Sequence, residues 1–266
     1  VRGSVPAPGA ATQRYGGNTP CVEVRCGERR IILDAGSGIR ALGERLRDAG
    51  GRVEAAVLLS HYHYDHLQGI PFFAPLGDPG NRFTFLGPRR EGRSVQDALE
   101  GQMVPPYFPV TLDQVARASL DFRSIEPGEP FTIGPVRVTS AELEHPGGNL
   151  GYRLEFGGRS LVYATDVEHT DAPAESLVEL ARGADVLLHD AMYTGPEYEA
   201  RRGWGHSTWN GALATAKAAK VKRLVLFHHD PERDDRALDA LLWQARSSFP
   251  RTSAAREGQT IRVVRG

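Results

Sequence analysis

The sequence predicts an α/β protein built as a four-layer αβ/βα sandwich, two sheets packed together with helices outside. Three observations carry this. Two similar halves, each a β run followed by helix, succeed one another along the chain. The last third switches to regular helix/strand alternation. No repeat and no low-complexity linker interrupts the 266 residues, so one domain spanning 1–266 is expected. That length buries a core without disulfide staples.

The elements follow in order. Thr19 to Cys26 and Arg29 to Asp34 alternate around Gly27-Glu28 and predict a β-hairpin. Ser37 to Asp48 places Ile39, Leu42 and Leu46 at helical spacing and stops at Gly50-Gly51. Val53 to Leu59 reads as a buried strand running into the polar cluster Ser60 to His66. The stretch Asp78 to Pro109 is loop-rich, with a strand at Arg82 to Leu86 and a helix at Ser94 to Leu99. A β run comes next: Leu120 to Ile125, Phe131 to Ala141, Gly151 to Phe156 and Ser160 to Ala164. The final third predicts helices at Ala174 to Arg182, Ser207 to Lys220 and Asp234 to Arg246. Its strands are Asp185 to His189 and Arg223 to Phe227, with Thr260 to Val264 as a closing strand.

Composition removes several classes of function. Hydrophobic residues at 40% and charged residues at 24% exclude a disordered or fibrous chain. Lys+Arg 32 against Asp+Glu 33 leaves net charge −1, without the bulk positive field that holds long nucleic acid. All the basic residues but Lys217, Lys220 and Lys222 are arginine, and along the sequence they are scattered rather than striped. No apolar run reaches the ~18 residues of a membrane helix, and the start lacks a signal-peptide core. Cys21 and Cys26, five apart on a strand, point to opposite faces and are expected to stay reduced. A cytoplasmic protein follows.

The chemistry concentrates in Ser60-His61-Tyr62-His63-Tyr64-Asp65-His66. In a chain with nine histidines, His-x-His-x-Asp-His arises by chance about once in a thousand sequences. Because the cluster follows a strand, a rigid element aims it. His61 and His63, two apart on extended chain, reach one divalent ion, while Asp65 and His66 turn toward a second. Imidazole with carboxylate suits Zn²⁺, Mn²⁺ or Fe rather than Mg²⁺ or Ca²⁺. Three further candidates also follow strands: His145 in Glu144-His145-Pro146-Gly147-Gly148, Asp166 after Leu161 to Thr165, and His228 after Leu224 to Phe227.

In this order the Asp34-Ala35-Gly36 turn, the His61 to His66 motif, His145, Asp166 and His228 resemble the metallo-β-lactamase superfamily over nearly the whole chain. The resemblance implies the metallo-β-lactamase fold and two divalent metal ions, Zn²⁺ first, with Mn or Fe as alternatives. It assigns His61, His63 and His145 to one ion. Asp65, His66 and His228 go to the other, and Asp166 bridges them. His228 is preferred over its neighbour His229 because it comes first off the strand. The family's first strand precedes a segment like Arg2-Gly3-Ser4 and is largely missing here, so a longer parent chain is expected.

The fold does not choose the substrate; Gly205-His206-Ser207-Thr208 does so better. It opens a helix with Ser207 or Thr208 as N-cap, an arrangement suited to phosphate. It resembles the Gly-His-Ser-Thr motif of the ribonuclease Z-like phosphodiesterase branch, where the histidine contacts the scissile phosphate and helps the leaving oxygen depart. Only a hairpin separates His145 from Asp166, which leaves no room for the substrate arm of ribonuclease Z. The resemblance therefore runs to phosphodiesterases of small substrates such as the phosphoribosyl cyclic phosphodiesterases. Two cysteines cannot build that relative's extra zinc site.

The expected activity is hydrolysis of a small or cyclic phosphodiester by a hydroxide held between the metals. Asp65 and His206 form the catalytic pair, and His206, Ser207 and Tyr107 contact substrate. Tyr107 belongs to Met103 to Pro109, an apolar, turn-rich segment placed as a lid. Asp190 is a candidate to orient His206, and Trp204 and Trp209 to stack on a base; His169 and His189 are taken as structural. A lactonase or thioesterase of the same superfamily is the alternative. The remaining expectations are a small-molecule substrate, no membrane, no long nucleic acid and a homodimer.

Overall fold

The computed structural model describes residues 1–169 and 172–264, and the chain divides into two compact units. The unit formed by Thr19–Glu126 carries a five-stranded mixed sheet in the order β1-β2-β3-β4-β5. Strands β1 (Val22–Cys26) and β2 (Arg29–Leu33) are the expected hairpin, paired Val22 to Leu33. Strands β3 (Glu54–Leu58), β4 (Arg82–Pro88) and β5 (Ser119–Ile125) each add in parallel. Helix α1 (Gly38–Ala49) turns Ile39, Leu42 and Leu46 into a core with Val57, Phe73, Phe83 and Phe85. Burying each such side chain is worth about 1.5–3 kcal/mol. Three short helices complete the unit: α2 (Tyr64–Leu67), α3 (Val95–Gly101) and α4 (Leu112–Val115). A capping box between Ser94 and Asp97 fixes the start of α3.

The second unit, Val1–Asn18 with Pro127 onward, holds a seven-stranded mixed sheet ordered β12-β11-β10-β9-β8-β7-β6. Strands β6 (Phe131–Ile133), β7 (Val136–Leu143), β8 (Asn149–Phe156) and β9 (Arg159–Ala164) form an antiparallel meander. Strands β10 (Val186–Asp190), β11 (Leu224–Phe227) and β12 (Thr252–Ala254) then join parallel to β9. Helices α5 (Glu175–Ala181), α7 (Trp209–Ala218) and α8 (Asp235–Ser248) pack Leu177, Leu180, Ala212, Leu213 and Leu241 against Leu187, Leu224 and Leu226. The short α6 (Gly195–Glu199) carries a capping box between Thr194 and Glu197.

Two expectations are corrected. The strand expected over Phe131 to Ala141 is two, because Gly134 takes a left-handed φ of 56° and turns the chain between β6 and β7. The closing strand is Thr252–Ala254, which pairs with β11. Thr260 to Val264 keeps an alternating pattern, half-buried and exposed by turns, but forms no strand. Short segments of that kind become strands only when a sheet edge receives them.

Candidate metal centre

Every candidate ligand sits at or just past the carboxyl end of a strand. In the first unit β2 delivers Asp34, and β3 delivers Ser60 to His66. Asp34 adopts the left-handed region, φ 58°, with its amide on the Leu58 carbonyl at 2.9 Å. Its carboxylate is buried and accepts from the Ser60 amide at 2.8 Å, the Ser60 hydroxyl at 2.9 Å and His66 Nδ1 at 2.8 Å. A carboxylate only accepts, so His66 carries its proton on Nδ1 and turns the Nε2 lone pair outward, 3.2 Å from Asp65 Oδ2. The Ser60 hydroxyl spends its proton on Asp34, so across 3.1 Å His61 Nδ1 donates to it. His61 too is left with a lone pair on Nε2. Rings of His61 and His63 lie 4.5 Å apart, and those of His61 and His66 4.3 Å apart. The one-turn helix α2, with His63 as its N-cap, swings Asp65 and His66 round from the extended His61–His63 segment. Fixing the tautomer through the far ring nitrogen is how proteins prepare imidazoles for metals.

In the second unit β7, β9, β10 and β11 point the same way and end at one edge of the sheet. His145, Asp166, Asp190 and His228 follow or close these strands. Asp166 is buried with φ 50°, and His228 is buried with φ 56°; strained non-glycine backbone of this kind gathers at functional positions. Asn149 holds the Asp166 turn by donating to the Thr165 and Asp166 carbonyls at 2.6 and 2.7 Å. The two Asp166 oxygens diverge, Oδ1 lying 3.2 Å from His228 Nε2 and Oδ2 3.9 Å from His145 Nε2. A carboxylate split between two imidazoles in this way can serve two ions. His145 Nδ1 donates to the Gly205 carbonyl at 2.8 Å and so presents Nε2 as a ligand.

His206 completes the group. Its Nδ1 donates to Asp190 Oδ2 at 2.8 Å, and its ring stacks on His228 with centroids 5.0 Å apart. Asp190 Oδ1 accepts the amides of Met192 and Ser207 at 2.9 and 3.3 Å. Asp166, Asp190, His206 and His228, all buried, offer ligand atoms within 4.8 Å of one another. The segment bearing His206 is tied down by Glu168, whose carboxylate accepts the Gly203 and Gly205 amides at 2.8 Å each and the Tyr198 hydroxyl at 2.9 Å. Burial alone would raise the Glu168 carboxyl, but the two amides and the Tyr198 hydroxyl outweigh it and hold the group below the usual range. Gly205 must be glycine: its φ is 84°, and a Cβ there would stand 2.2 Å from His145 Nδ1.

The other candidates divide. Thr208, not Ser207, caps α7, accepting from the Gly211 amide at 2.9 Å. The Ser207 hydroxyl is buried and donates to the Val167 carbonyl, so what Ser207 offers is backbone placement. Tyr107 is 84% exposed on a turn, beside a buried Met103. Trp209 packs against the helix core, whereas Trp204 is exposed beneath the Arg201 guanidinium, 5.9 Å away. His169 and His189 share a buried hydrogen bond at 3.0 Å. Sequence reasoning had Asp34 only as a turn residue and missed Asn149 and Glu168. An Asp at a strand end was the visible signal for Asp34; neither of the others has one.

Comparison with known proteins places these residues in context. A family model described as a beta-lactamase superfamily domain matches residues 29–229. Ribonuclease Z of Ignicoccus hospitalis is 28% identical, over 88% of this chain and 89% of its own. The metallo-beta-lactamase fold protein YhfI from Bacillus subtilis superposes with a TM-score of 0.71 at 20% identity, covering 97% of this chain and 94% of that one. A diphosphatase from the PhnP family gives a TM-score of 0.66 at 21% identity, over 92% and 84%. These likenesses show the metallo-β-lactamase fold, α/β with two mixed sheets, as the sequence led one to expect.

Proposed function

The chain belongs to the metallo-β-lactamase superfamily and is a metal-dependent hydrolase of it, and from that premise we propose that it hydrolyses a small or cyclic phosphodiester. The observation that carries the proposal is the Asp190–His206 pair, buried at the start of the Gly205-His206-Ser207-Thr208 segment. Its place in a segment that resembles the Gly-His-Ser-Thr motif of phosphodiesterases favours attack at phosphorus over attack at the carbon of a lactone or thioester.

His61, His63 and His145 are assigned to one ion, Asp65, His66 and His228 to the other, and Asp166 to both. The residues fit such ions: Asp65 and Asp166 are buried, His61, His66 and His145 have their Nδ1 protons committed, and His63 is the exposed member of the set, together a donor set for Zn²⁺ or a similar divalent metal. Two such ions, when bound, polarise a phosphoryl oxygen and activate water at neutral pH. The side chains do the rest. Asp190 accepts from His206 Nδ1 and stabilises the ring when Nε2 carries a proton, which His206 then gives to the departing oxygen. Asp65 Oδ2 lies 3.2 Å from His66 Nε2, so the two offer their lone pairs to the same position. Glu168 fixes the backbone that carries His206.

The ribonuclease Z relative supports a second reading, a phosphodiester within RNA. Metal analysis of the purified protein, with a panel of a bis-aryl phosphate, 2′,3′- and 3′,5′-cyclic nucleotides, an RNA oligonucleotide, a lactone and a thioester, separates these. Turnover of the cyclic or aryl phosphodiesters with at least one transition metal per chain supports the proposal. Turnover confined to the lactone or thioester overturns it, and turnover confined to the oligonucleotide favours the second reading.

A further inference from the structure

The parallel strands of the second unit carry the candidate ligands at their carboxyl ends; their amino ends form a separate surface. At the amino ends of β10, β11 and β12 a cleft of about 390 Å³ opens, lined by Lys222, Arg223, Arg246, Arg251, Arg262 and Ser253 among others. Along β10 this lies about 13 Å from Asp190, four steps of 3.3 Å. Arginines scattered in the sequence are here gathered by the fold, in a chain whose net charge is −1.

Among the described residues the lining holds five cations and one carboxylate, Asp185. That carboxylate is occupied, accepting from Lys222 Nζ and the Ser160 amide, each at 2.8 Å. Arg246 uses Nε on the Thr252 carbonyl at 3.0 Å and keeps its other donors. Among the described residues, no carboxylate pairs with Arg223, Arg251 or Arg262. Ser253 Oγ, on the edge strand, is buried and has no hydrogen-bond partner among the described residues. Like charges converge in a concave site only at a cost, and a buried hydroxyl left unpaired adds to it. Both are relieved by one kind of ligand, an anion with several acceptor oxygens.

We propose that this cleft binds a pyrophosphate-bearing small molecule, independently of the metal-binding residues. Guanidinium forks match phosphate oxygens two at a time, and the cleft is of the size that takes small ligands. Among the described residues no aromatic lines it, so recognition rests on the phosphates and not on a stacked base.

The test titrates inorganic pyrophosphate into the metal-loaded protein at ~0.15 M salt, reading heat and amide hydrogen exchange together. Exchange separates this cleft from the metal-binding residues, because each protects its own peptides. Slowed exchange in 222–224 and 250–254, with binding at least tenfold weaker in an R223A/R251A double variant and unchanged aryl phosphodiester turnover, supports the site. Arg262→Ala lies outside every strand and helix, so it tests the same charge where the double variant fails to fold; a weakening of threefold or more is expected. A nucleoside diphosphate that binds as pyrophosphate does identifies the phosphates as sufficient, and one that binds tighter identifies a nucleotide as the source. Protection confined to 203–207 and 228, affinity indifferent to all three arginines, or equal binding of sulfate overturns the proposal.

Discussion

Asp34 touches no substrate in this account, yet it sets the tautomer of one proposed ligand directly and of another through Ser60. Asp34→Asn keeps the shape and tolerates the left-handed φ, but replaces an acceptor facing His66 Nδ1 with an amide. Loss of such a supporting carboxylate costs about 10–100-fold in metal affinity, measurable by chelator competition; an unchanged affinity contradicts the role. At Gly205 a methyl group meets His145 and the backbone strain together. Gly205→Ala is expected to lose about 3 kcal/mol or more, read as the urea midpoint. At this scale the sequence was legible where a motif is contiguous, as in His61 to His66. Glu168 and Asn149 were not, because their partners, Gly203 with Gly205 and Thr165 with Asp166, are main-chain groups brought near only by folding.

Among elements, the strands that end in ligands were readable because buried apolar runs terminating in polar clusters have few other meanings. The capping box of α6 was present in Thr194 and Glu197, yet a five-residue helix has too short a period to register. The edge strand β12 is three residues long, and its identity lies in the parallel pairing with β11 rather than in its own composition. One element-level pairing makes a pH prediction. His189 Nδ1 donates to the Asp190 carbonyl at 2.7 Å, so its Nε2 accepts from His169 and ties β10 to the segment after β9. Burial, reinforced by the neighbouring imidazole, pushes His169 down to about 3, and burial pushes His189 down to about 4. The unfolded chain, with both near 6.5, therefore binds more protons in acid. Their stabilisation is complete above pH 6.5 and is lost as pH falls toward those values, by about 2 kcal/mol each at pH 5. Urea midpoints at pH 7.5 and 5.0 should show that drop, and His169→Gln should shrink it. An equal drop in the variant would place the acid sensitivity elsewhere.

Across the whole molecule, the proposed metal and phosphate chemistry is joined through a few carboxylates. Asp166, with its oxygens divided between His145 and His228, should matter to both ions. Asp166→Ala is expected to lose metal and turnover together, while Asp65→Ala mainly weakens the second ion. Metal content of near two per chain in Asp166→Ala would refute the bridging role. The most direct measurement is the leaving-group dependence of His206→Ala. A ribose or alkyl phosphodiester leaves as an alkoxide that needs a proton, and that help is worth about 10²–10⁴ in rate; a nitrophenyl ester needs almost none. The general-acid role of His206 predicts a loss of that size on the alkyl ester, a loss of less than about tenfold on the nitrophenyl ester, and retained metal content. Equal losses on both esters, or none on either, would contradict it.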